Sequence, residues 1–169
     1  PSHWQLGRDD VTMLDPALLG LAEAESRALF ASAGELLSSE GFSVAWGASD
    51  RWYAARDDLK ALATASLDRV IGRNVDRWLH ASAKGAVGAT RATLSLVRRL
   101  QSEAQIVFHS HAVNEAREER GELTANSFWL SGCGRRQQAD ATATLEIAST
   151  LRTPMLRADW AAWAEAWRA

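Results

Sequence analysis

The sequence predicts a mixed α+β domain in two layers, a mainly antiparallel sheet covered by helices. Three observations carry that expectation. Short β-favouring runs alternate with turn residues early in the chain, two long tracts at residues 21–39 and 90–120 repeat their apolar side chains at helical spacing, and an apolar run at 127–130 returns to strand. Neighbouring strands joined by turns pair antiparallel, and a helix with an apolar stripe must bury it against another layer.

The first strand is predicted at Val11 to Leu14, where the Asp15-Pro16 pair stops the run. From Leu21 to Ser39 the residues Leu21, Ala24, Ala28, Leu29, Ala31, Leu36 and Leu37 keep close to helical spacing. Glu23 and Glu25 sit in the first turn, and Gly41 stands where a C-terminal capping glycine belongs. Phe42, Val44 and Trp46 then alternate with small residues. Gly47-Ala48-Ser49-Asp50 supplies a turn before Arg51 to Ala55, so a β-hairpin is the simplest reading. Ser66 is a candidate cap for a short helix through Ile71 that Gly72 would end, and Lys84 to Gly88 reads as a loop.

Thr90 to Arg120 is the longest helical tract, with Leu94, Val97, Leu100, Ala104, Val107 and Phe108 as its stripe. Ser127 to Leu130 follows as a strand closed by Gly132-Cys133-Gly134. Arg135 to Ala143 is polar, loop or weak helix. Asp159 can cap a terminal helix that carries Trp160, Trp163 and Trp167 at i, i+3 and i+7, three indoles on one side.

A length of 169 residues suits a single domain with a sizeable core, and 47% apolar with 24% charged residues is an ordinary globular composition. The net charge of -2 points neither to nucleic acid nor to an anionic membrane surface. Cys133 is the single cysteine, which excludes an internal disulfide and a cysteine-rich zinc site, and a reducing cytoplasm is the natural compartment. No apolar run approaches the roughly 18 to 20 residues that span a bilayer, and no charged-then-apolar leader opens the chain. The first residue is Pro1, so a piece of something longer is expected.

His111, Asn114, Arg117 and Arg120 recur at steps of three. On a helix the first three project near one side, bringing imidazole, amide and guanidinium groups to where a carboxylate or phosphate could sit. Asn126 follows in the loop. The competing reading makes Asn114 and Asn126 loop-fixing residues bonded to backbone, with Arg117 paired to an acid.

His109-Ser110-His111 invites a metal, but residues two apart on a helix point in different directions and only His3 and His80 complete the histidine count, so no metal and no cofactor are expected. Cys133 between glycines has no evident partnering base, which favours a small residue at a tight turn over a nucleophile. The eight tryptophans are many for this length. The terminal stripe could dock a protein partner or a second copy, although packing on the domain's own sheet is the blander account.

The segment Phe108 to Gly134, with His111-Ala112-Val113-Asn114, Arg117, Gly121 and Ala125-Asn126 ahead of an apolar run and a glycine-rich turn, resembles a motif of archaeal-type, 2,3-bisphosphoglycerate-independent phosphoglycerate mutases. Those enzymes have proline where Ala112 and Thr124 stand here. The segment is also similar to bacterial RpfE-type regulatory proteins, described as related to those mutases. Arg8 to Asp15, Arg51-Trp52-Tyr53, Leu67 to Asp76, Leu151 to Pro154 and Asp159 to Trp163 extend the likeness over most of the chain in the same order.

The mutase likeness implies a break in the long helix near Ser110, an acidic or phosphorylated metabolite as ligand, and His111, Asn114, Arg117, Arg120 and Asn126 as its contacts. The matched residues resemble the mutases' inserted substrate-side domain, not their metal centre. That centre needs several Asp and His ligands around an activated hydroxyl, a set that cannot be assembled in this sequence. The expectation is therefore a non-catalytic regulatory or binding protein. Two alternatives stay open, a fragment of a metal-dependent mutase or phosphatase and a structural oligomerisation module.

Overall fold

The computed structural model describes residues 1–83, 89–135, 138 and 149–168. They form two compact units, Pro1–Gly134 and Arg135–Ala169, each described by itself.

The architecture is mixed α+β, mostly helical, and the expected broad antiparallel sheet is replaced by two small two-stranded sheets. In the first, β1 (Trp4–Leu6) pairs antiparallel with β2 (Val11–Met13). Gly7 makes the tight turn between them, where a Cβ would collide with the Asp10 carboxylate. The chain at 71–75 lies along the other side of β2, the Gly72 N–H donating to the Met13 carbonyl and that of Val75 to Val11. Met13 is thereby fully buried.

Helix α1 (Glu23–Ser39) starts where the Glu25 carboxylate accepts from the Ala22 N–H. It ends at Gly41, whose φ of 80° lets the Gly41 and Phe42 N–H groups bond back to Ser38 and Leu37. The second sheet is the expected hairpin, β3 (Ser43–Ala48) with β4 (Arg51–Ala55). Its turn is shorter than the sequence suggested. Gly47 belongs to a bulge, where a Cβ would run into the Tyr53 ring and press on the Arg51 carbonyl. The inner face of the hairpin docks on α1 through Ser26, whose hydroxyl accepts both the Trp46 and Trp52 indole N–H groups at 3.1 and 3.0 Å. The Arg27 guanidinium covers the Trp46 ring.

Helices α2 (Leu67–Val70) and α3 (Asp76–Ala83) are short, with Ser66 at the α2 N-cap but making no side-chain capping bond. Lys84 to Gly88 lies outside the described residues. The long tract divides into α4 (Ala89–His109) and α5 (Ala112–Glu119). His111 breaks it: its backbone is extended, with ψ 129°, and its Nδ1 caps α5 by accepting from the Val113 N–H at 3.1 Å.

Two apolar clusters fill the larger unit. One joins Leu29 and Ala33 of α1 to Ala104 and Phe108 of α4 and to Ala125. The other joins Phe42, Leu59 and Leu62 to Leu94, Val97 and Leu100, and Phe128 packs against both.

Among the described residues the expected strand at 127–130 joins no ladder, and only Ser127 of it forms a backbone bridge, to Ser2. In the smaller unit, α6 (Ser149–Leu156) precedes α7 (Trp160–Arg168), which Asp159 caps as expected by accepting from the Ala162 N–H. Burial of the tryptophan stripe is not observed. Trp160 and Trp167 are exposed, Trp163 is half-buried, and the rings of Trp163 and Trp167 stack at 5.5 Å. Of the Arg135 to Ala143 stretch, 136–137 and 139–143 lie outside the described residues. Among those described, no helix is long and apolar enough to cross a membrane.

Candidate functional site

Four of the five residues expected to bind an anion gather on or beside α5. Asn114 is 2% exposed, and its amide is fully engaged. Nδ2 donates to the carbonyls of Phe108 and Ala125 at 2.8 and 2.7 Å, while Oδ1 accepts from the Ala125 N–H at 3.1 Å. This one side chain spans the end of α4 and the loop after α5.

Arg117, also 2% exposed, donates from Nε to the Leu123 carbonyl at 2.8 Å and from Nη2 to the Leu19 carbonyl. Its Nη1 faces Glu25 Oε2 at 2.6 Å and Glu122 Oε2 at 3.2 Å. Arg120, at the surface, bonds Glu25 and Glu122 and holds the Glu122 carboxyl below its ordinary range.

His111 is occupied by its capping bond. Asn126 stands apart from the set and pairs with Trp4 as a strand residue would, Nδ2 donating to the Trp4 carbonyl at 2.9 Å and Oδ1 accepting its N–H at 2.7 Å. Next to it the His3 ring lies 2.7 Å from the Thr124 carbonyl.

The arrangement is a clasp. It fixes the loop after α5 to the start of α1 on one side and to β1 on the other, and the donors that an anion would need already meet carbonyls and carboxylates of the chain. Glu25, His3 and Trp4 complete it, and sequence reasoning did not connect them to it. Glu25 is visible as a first-turn acid, but a pairing across 92 positions leaves no local signal.

A separate concavity of about 390 Å³ opens on the larger unit. Its floor is apolar, formed by Phe30 and Leu37 of α1, Phe42, Leu59, and Val97 and Leu100 of α4. Two continuous stretches of chain also line it, residues 50–56 along β4 and residues 128–134, together with Pro1, Pro16 and Leu67. Arg56 is held in the wall by Asp58 at 3.0 Å and by the Glu40 carbonyl at 2.9 Å. Cys133 lies at one end. Burial pushes its thiol above the ordinary range, opposed by a hydrogen bond with Thr64.

Among the described residues no three His, Cys, Asp or Glu side chains gather where a metal could bind. Compared with protein-family models, curated proteins and solved structures, the chain matches none.

Proposed function

We propose that this chain is a non-catalytic binding module of a regulatory protein, and that what it binds occupies the cleft between β4 and residues 128–134. One observation carries the reading. The cleft has the volume and apolar lining of a small-molecule or peptide site, about 300 to 1,000 Å³ being usual, whereas the Asn114 and Arg117 donors are used inside the protein. The motif that resembles the mutases supplies the scaffold beside the cleft in this reading, with Phe128 linking the clasp to the cleft floor.

The test compares two probes. Anilinonaphthalene sulfonate should bind the folded chain saturably at one site, and Ala54→Phe, which fills the wall from β4, should abolish that binding while leaving the melting temperature near that of the parent. Phosphoglycerate should not raise the melting temperature. If phosphoglycerate stabilises the chain and the dye does not bind, the ligand sits at the clasp and the cleft reading is wrong. Turnover of phosphoglycerate or a phosphomonoester with manganese, zinc or cobalt, surviving repurification, would return the chain to the enzyme alternative.

A further inference from the structure

The two continuous stretches that line the cleft are built like strands, and among the described residues both leave backbone groups without partners. Strand β4 is hydrogen-bonded along one edge only, to β3. Its opposite edge takes part in no backbone hydrogen bond among the described residues. In the other stretch, among the described residues, the N–H groups of Phe128, Trp129 and Leu130 find no backbone acceptor, and of their carbonyls only that of Phe128 is taken, by the Gln101 side chain at 3.1 Å.

The side chains there alternate as on a strand. Phe128 and Leu130 turn into the core cluster, while Trp129 turns the other way, its indole N–H donating to the Ala65 carbonyl at 3.0 Å and its ring meeting Trp4. On β4, Trp52 and Ala54 face inward and Arg51, Tyr53 and Ala55 outward. An open strand edge is a template for another strand, and half-buried peptide groups require partners.

We propose that the occupant of the cleft is an extended polypeptide segment, entering as an added strand between β4 and Phe128–Leu130. The inference rests on the cleft as the binding site and goes further by naming the ligand class. The complement of two rows of unpaired peptide dipoles is a third row of alternating N–H and C=O groups, which a peptide backbone carries and a compact metabolite does not. Inward side chains of the segment at every second position would meet Leu37, Val97 and Leu100, so these are small and apolar. The added strand would join β3–β4 to the 127–130 run, whose sequence pattern is that of a strand.

The probe is a capped six-residue peptide alternating threonine and valine, set against the same peptide N-methylated on alternate amides, which keeps the side chains and loses the edge donors. The unmodified peptide should displace anilinonaphthalene sulfonate from the full chain and slow hydrogen exchange at the Phe128, Trp129 and Leu130 amides. The methylated one should bind about tenfold more weakly or worse. Equal binding of the two peptides, or no protection of those amides, overturns the proposal. If the dye binds and is lost in Ala54→Phe while neither peptide competes, the cleft remains a site for a small molecule and only the strand proposal fails.

Discussion

Arg117 is accommodated at 2% exposure because four acceptors converge on one planar fork: the carboxylates of Glu25 and Glu122 and the carbonyls of Leu19 and Leu123. Removing one partner from such a buried set leaves the others unpaired. Arg117→Ala is therefore expected to lower unfolding stability by about 3 kcal/mol or more, read from the urea midpoint. Arg120→Ala removes only surface pairs with the same two acids. Its effect should be small and should vanish in high salt. A midpoint unchanged in Arg117→Ala would mean the clasp is not structural and would reopen the anion site. The spacing of three did place Asn114 and Arg117 on one side of a helix, but spacing carries no information about the acceptors. Two of those acceptors, Leu19 and Glu25, lie in a distant segment.

At the scale of elements, the break between α4 and α5 shows a local signal at work. The Phe108 to Arg120 stretch has no proline, yet the helix ends because the His111 ring competes for the Val113 N–H. His111→Ala should cost about 1 kcal/mol as a lost N-cap, whereas His111→Asp, which offers an acceptor and a favourable charge at a helix start, should retain most of the stability. Equal losses in the two variants, measured by chemical denaturation, would show that the ring acts by packing and not by capping. The hairpin β3–β4 was legible from alternation and its turn residues. The placing of its turn was not, since Gly47 is taken up in a bulge within β3 and the strand runs on to Ala48. At 127–130 the alternation is present but the ladder is not. A period of two specifies which side chains share a face and says nothing of whether a neighbouring strand is supplied.

At the scale of the whole molecule, both apolar clusters and the clasp lie within Pro1–Gly134. A chain ending at Gly134 should consequently fold by itself, with one cooperative thermal transition and the near-ultraviolet signal of packed tryptophans. Loss of cooperativity in that shortened chain would mean that the α6–α7 unit contributes to the larger unit's stability.

What the sequence determined by itself is what depends on neighbours within a few residues: the α1 and α4 stripes, the hairpin, the Asp159 cap and the mixed α+β class. The tertiary structure alone decided how far the sheets extend, which acids Arg117 meets, that Asn126 bonds Trp4, and where the cleft lies. The division is physical. Periodicity, capping and turn conformation are free energies of local contacts and are written in adjacent residues. Long-range pairing depends instead on which surfaces remain uncovered once every helix has buried its stripe, and that is settled only by the packing of the whole chain.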